Sequence, residues 1–135
     1  MQRPGGFVKT IVSSLLFVFS ISAAATANAD ADACKEKLSA KMEMDLIASN
    51  IANLQTTRTP WGGPFQPFTN IHCAGGTCSF DQDRSVIEKY EPEHPDASDT
   101  GFVKYPNINL MREMENMIAA SRRYEAAVAG CSDSH

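Results

Sequence analysis

Two stretches decide the fold: Met44–Thr59, MDLIASNIANLQTTRT, and Tyr105–Ala129, YPNINLMREMENMIAASRRYEAAVA. Around the first, Ala40, Met44, Ile47, Ile51 and Leu54 recur at alternating spacings of four and three. That is the a/d stripe of an amphipathic helix, and Leu38 and Met42 widen it. In the second, Leu110, Met114, Met117, Ser121, Tyr124, Val128 and Cys131 repeat the same alternation. A small chain with its longest apolar stripes at both ends is expected to bring those ends together. The expectation is a mainly α fold with a small β part. Helix 34–55 and helix 107–130 pair antiparallel, in a coiled-coil-like manner, around a short β-hairpin and loop segment at 60–105.

The ends of these helices are readable locally. Thr56-Thr57-Arg58-Thr59-Pro60 stops the first, because β-branched residues before proline favour extended backbone. Pro106-Asn107 opens the second, with Asn107 as the expected N-cap. Between them, Trp61–Asp83 carries Gly62-Gly63-Pro64, Pro67 and Gly75-Gly76, too much punctuation for a helix. A hairpin tip is expected at Cys73–Cys78. Ser85–Tyr90 and Phe102–Tyr105 read as two short strands around the turn-rich 91–101 segment.

The first 29 residues read differently. Arg3 and Lys9 precede the apolar run Ile11–Ala25, and Ala27-Asn28-Ala29 places small residues where a signal peptidase reads. A basic start, an apolar core and an A-x-A site make a secretory signal peptide. The alternative is a retained membrane anchor, for which the serine-bearing run is short. Ala31-Asp32-Ala33 lacks the leucine of a lipobox, so no lipid anchor is expected on Cys34. The expected architecture is a signal peptide at 1–29 and one domain at 30–135. Loss of Arg3 and Lys9 takes the basic side chains from 12 to 10 against 16 acidic ones, a formal charge of −6. Such a chain has no electrostatic footprint for nucleic acid and no basic face for anionic lipid.

Cys34, Cys73, Cys78 and Cys131 all follow the signal, and an even count in an exported chain points to disulfides. Three pairings are open. Antiparallel terminal helices would bring Cys34 to Cys131, and the Ala-Gly-Gly-Thr tip would bring Cys73 to Cys78. That pairing is the one expected.

Candidate chemistry is sparse. His72, Cys73, Cys78 and His94 have permissible zinc donors, but no second closely spaced pair follows, and oxidising conditions favour the disulfide. Cys-x4-Cys has the wrong spacing for a redox dithiol. The acidic run from Asp81 to Asp99 reads as a solvated loop face. Neither a nucleophile elbow nor a phosphate-cradling glycine loop is present. Arg122-Arg123 reads either as a carboxylate grip on a neighbour or as a solvated helix face. The methionines Met42, Met44, Met111, Met114 and Met117 read as adaptable packing. No catalysis, cofactor, metal or small-molecule substrate is expected.

The wording of the two stretches carries more than their periodicity. MDLIASNIANLQTTRTP, and the run from Val86 through the Tyr-x-Pro-x-His-Pro-x-Ala turn and P-N-x-N-L to Val128, resemble the flagellar basal-body rod proteins of the proximal-rod, FlgC type. The resemblance covers 38–60 and 86–128. It implies a structural subunit that polymerises with itself and with other rod subunits through its terminal helices. By position, Ser49, Asn50, Ile51, Ala52 and Asn53 fall in the assembly helix. Asn107, Asn109, Leu110, Glu113, Met114, Ser121, Arg122, Tyr124 and Glu125 fall in its partner. The expected assembly interface is therefore Met44, Ile47, Asn50, Ile51, Asn53 and Leu54 on the first helix. On the second it is Asn107, Leu110, Met114, Met117, Ser121, Tyr124 and Val128. The resemblance implies motility and a basal-body location, and the signal adds the periplasm. Family members usually lack a Sec-type signal and rarely carry cysteines. Those features support a second reading, a disulfide-stapled periplasmic binding module that reuses the rod fold.

Overall fold

The chain is described by a computed structural model covering the backbone of residues 7–132 and the side chains of residues 28–132. The side chains of the expected signal segment up to position 27 lie outside the described residues. In chain order the elements are α1 (Phe7–Ala52), β1 (Phe68–Ala74), β2 (Thr77–Gln82), β3 (Val86–Tyr90), β4 (Phe102–Pro106) and α2 (Leu110–Gly130). The result is a mixed α/β chain: two paired helices and two small antiparallel sheets, β1–β2 and β3–β4.

α1 and α2 run in opposite directions, with Cys34 beside Cys131 at one end and Asn50 bonded to Glu113 near the other. Small side chains form the α2 side of the contact. Ala40 and Ile47 of α1 are buried, as are Ala120 and Ala127 of α2. The approach is close enough that a Cβ at Gly130 would stand 3.2 Å from the Ala33 Cβ. This differs from the expected seam. Ala120 and Ala127 lie roughly 100° around α2 from the Leu110–Met114–Val128 line, at about 100° per residue. Leu110, Met114 and Val128 are exposed. The reason is polar: turning α2 this way lets Arg123 reach two carboxylates of α1, and lets Asn50 reach Glu113.

Element boundaries also differ from expectation. α1 is already helical at positions 30–33, ahead of the expected start at 34, and ends at Ala52 rather than 55. Asn53 then turns the chain, its Nδ2 donating to the Ser49 carbonyl at 2.8 Å. α2 begins at Leu110, not 107. Its N-cap is Asn109, whose side chain accepts from the Arg112 N–H. Asn107 instead donates to Asp83 and Ser85, tying the start of β3 to the end of β4.

β1 and β2 pair with Cys73 opposite Cys78 and close through Gly75-Gly76. A bulge lies between Thr69 and His72, where Asn70 has φ 50°. Asparagine tolerates that left-handed backbone better than most residues. Phe68 packs edge-on against both Phe65 and Phe80. The β3–β4 hairpin has its inward residues on β4, where Val103 and Tyr105 are buried. All five residues of β3 are exposed.

Candidate assembly interface

Three polar ties join α1 to α2 and to the β1–β2 hairpin. The first is Asn50, fully buried, whose Nδ2 donates to the Phe68 carbonyl at 2.8 Å and whose Oδ1 accepts from the Phe68 N–H at 2.8 Å. The same Nδ2 reaches Glu113 Oε2 at 3.2 Å, so one side chain joins α1, β1 and α2. The second is Arg123 of α2. It donates from Nε and Nη2 to Glu36 Oε1 at 2.9 and 2.7 Å, and from Nη1 to Glu43 Oε2 at 2.5 Å. Glu36 and Glu43 stand two helical turns apart on α1 and bracket it. The hydrogen bond to Glu36, with the field of both carboxylates, raises the guanidinium pKa further above its ordinary value and outweighs the opposing desolvation. The third is Ser39, also fully buried. Its Oγ donates to the Lys35 carbonyl at 2.9 Å and accepts from the Gly76 N–H at 3.0 Å, seating the β1–β2 tip on α1.

At the other end of α1 a second set of bonds fixes the exit loop. Thr57 Oγ1 donates to Asp96 at 2.7 Å, and Arg58 forms an ion pair with the same carboxylate. The Thr57 hydrogen bond, then the Arg58 charge, hold the Asp96 carboxyl below the ordinary carboxylate range. Asp83 is held low in the same direction by hydrogen bonds from Ser85 and then Asn107. Tyr105 donates to Glu91 at 2.7 Å, which raises the phenol pKa.

The cysteines stand in two close pairs. Cys34 and Cys131 lie at disulfide distance with Cα atoms 4.8 Å apart, and Cys73 and Cys78 with Cα atoms 4.1 Å apart. His94 lies apart from them in the 91–98 turn, where its Nδ1 accepts from the Asp96 N–H and its ring meets Tyr105 edge-on.

The expected interface residues fall into three groups. Ile47 and Asn50 are buried inside the chain. Met44, Ile51, Asn53, Leu54, Met117, Ser121 and Tyr124 are half-buried. Asn107, Leu110, Met114 and Val128 are exposed. Asn50 thus serves internal cohesion. Arg123 does too, since both its carboxylate partners are in its own chain, whereas a grip on a neighbour or a solvated face is the expectation from sequence. Ser39 and the Ala120–Ala127 contact are absent from the sequence-based interface. Their only local signal is smallness at helical spacing, which many exposed positions share.

α2 carries a second apolar face. Met111, Met114 and Ile118 are 67%, 48% and 52% exposed, and their spacing puts them on the side of α2 opposite Ala120 and Ala127. Large apolar side chains therefore point away from α1 while alanines face it.

Residues 99–130 match the family model described as "Flagellar basal body rod FlgEFG protein C-terminal". The chain is 36% identical over 114 residues to the flagellar basal-body rod protein FlgC of Borreliella burgdorferi, covering 64% of this chain and 75% of that relative. It is 34% identical over 96 residues to the FlgC of Salmonella typhimurium, covering 63% and 72%. It is 27% identical over 117 residues to the FlgC of Bacillus subtilis, covering 65% and 77%. The chain belongs to the FlgC family of flagellar basal-body rod proteins.

Proposed function

We propose that this chain, a structural component of the bacterial flagellar basal-body rod and not an enzyme, joins the rod through its two terminal helices. The observation that carries the reading is the outward face of α2. Met111, Met114 and Ile118 are large, apolar and exposed, a costly arrangement for a lone small chain and a useful one for a subunit. In the assembled rod this face and the exposed Leu110 and Val128 pack against neighbouring subunits, in the coiled-coil-like manner that their spacing suits. Neighbours include copies of this chain and other rod subunits, joined by heterologous contacts that build a helical array. The alternative of a repurposed binding module is not favoured, because similarity to FlgC proteins extends over about two-thirds of the chain.

Export by a Sec-type signal, cleavage after Ala29 and residence in the periplasm belong to the same proposal. The mature chain this gives keeps the ties between its helix ends: Asp30 accepts from Ser132 at 3.3 Å, and Ala33 meets Gly130. The paired structure therefore reaches back to the first residue after the expected cut. In the oxidising periplasm the two cysteine pairs are disulfides. Protein purified from the periplasm should begin at Asp30 and show no free thiol. A full-length chain bearing four free thiols would overturn the export route. The helix-face proposal is tested separately. Ile118→Glu should leave the monomer folded and abolish incorporation into purified basal bodies, whereas undiminished incorporation would refute assembly through α2.

A further inference from the structure

Trp61 is the one tryptophan of the chain, and it is 95% exposed. It is not on a loose loop. Thr59 N–H donates to the Gly63 carbonyl at 2.8 Å, Gly62 N–H to the Thr59 carbonyl at 3.0 Å, and Phe65 N–H to the Thr56 carbonyl at 3.0 Å. Thr59 Oγ1 adds a bond to the Gly62 carbonyl at 3.1 Å. Gly62 and Gly63 supply the positive φ values, 87° and 70°, that this tight turn needs. The loop is thus fixed in a shape that holds a large aromatic ring out in water. Beside the ring lies an open cleft of about 530 Å³, lined by Asn53, Thr56, Arg58, Pro60, Trp61 and Phe65.

A fixed, exposed tryptophan bordering a cleft with an arginine at its rim has the composition of an interface hot spot. The occupant must offer apolar side chains at helical spacing and a negative charge for Arg58. The chain itself carries that pattern. Met111, Met114 and Ile118 follow the i, i+3, i+7 spacing by which a helix fills a groove, and exposed Glu115 flanks them. We infer that the Trp61 cleft of one copy receives the Met111–Met114–Ile118 face of α2 from a second copy, with Arg58 meeting Glu115 at the edge. The inference rests on reading the chain as a subunit that packs against its neighbours, and it names where one such contact is made. Thioether sulfur against the indole adds a favourable contact to the buried area. Arg58 keeps Asp96 as its partner within the chain, so Glu115 completes a shared ion pair at the rim rather than capturing an idle charge.

Because Trp61 is the sole tryptophan, the tryptophan fluorescence reports on this cleft and on no other part of the chain. Protein purified from the periplasm is titrated in concentration while emission and acrylamide quenching are recorded beside sedimentation. A blue shift and loss of quenching that track self-association are expected. Met114→Glu and, independently, Ile118→Glu should each weaken the association about tenfold or more and return the emission to its hydrated value. Both positions are exposed on the face away from α1, and far-UV circular dichroism checks that the fold persists. Association with unchanged Trp61 emission, or association insensitive to both variants, overturns the inference by placing the contact elsewhere. A protein that stays monomeric at every concentration also overturns a second copy as the occupant. The rod reading is judged apart from these results, by whether the chain is found in purified basal bodies.

Discussion

Asn50 satisfies both backbone groups of Phe68, giving its amide N–H to the carbonyl and its oxygen to the N–H, each at 2.8 Å. The side chain is fully buried, so water does not replace either bond. Asn50→Ala should therefore lower stability by about 2 kcal/mol, from the lost bonds to both backbone groups of the half-buried Phe68 and to Glu113. Asn50→Asp should be at least as damaging, since it loses the donor and sets a carboxylate against the Phe68 carbonyl and Glu113. Urea unfolding with unchanged m-values checks both. A loss below about 0.5 kcal/mol for either would contradict the role assigned to Asn50.

The Cys34–Cys131 and Cys73–Cys78 pairs should contribute unequally. They close loops with sequence separations of 97 and 5. Loop-closure entropy gives about 4–5 kcal/mol for the long loop and about 2 kcal/mol for the short one. Cys34→Ser with Cys131→Ser should lower the melting temperature markedly more than Cys73→Ser with Cys78→Ser. The opposite order in thermal unfolding would show that the terminal staple is not what holds the helix ends.

Arg123 should resist conservative replacement. Arg123→Lys keeps the charge but cannot reach Glu36 and Glu43 with a fork. The site is partly solvated, with the Arg123 side chain 41% exposed, so the expected loss is about 1–2 kcal/mol for Lys and somewhat more for Ala. Double-mutant cycles with Glu43→Gln should show coupling, and independence of the two sites would remove the bracket from the account.

Acid should loosen the loop ties before it unfolds the helices. Asp96 and Asp83 have folded pKa values below those of free carboxyls. Their contribution is complete above the unfolded value of about 3.9 and is lost as pH falls through the lower folded values. Between about pH 5 and pH 2 the melting temperature should fall, and Asp96→Asn should flatten part of that slope. A wild-type slope unchanged by Asp96→Asn would show that the Thr57 and Arg58 bonds do not report on stability.

Both helices, the two hairpins and the proximity of Cys34 to Cys131 were legible because each has a local signal: a/d spacing, proline and glycine punctuation, or position along an antiparallel pair. The angular setting of α2 was not. The a/d line through Leu110, Met114 and Val128 is the more apolar face, yet Ala120 and Ala127 face α1. Two carboxylates and one guanidinium, separated by 80 residues or more, choose that rotation. No window of sequence shows that they meet. The cap was misplaced for a smaller reason. Asn107 and Asn109 both suit an N-cap, and the hydrogen bonds of Asn107 to Asp83 and Ser85 assign it to the hairpin instead. The apolar stripe read from sequence divides into residues that close the monomer and residues left at its surface, a division that periodicity alone does not show.

The most direct test of the account is the composition of purified basal bodies from cells making either the native chain or Ile118→Glu, measured by quantitative mass spectrometry. The native chain should be present in fixed proportion to the other rod subunits. The variant should be folded in the periplasm and absent from the basal body. A native chain found only as a free periplasmic monomer, or a variant incorporated as well as the native chain, would contradict it.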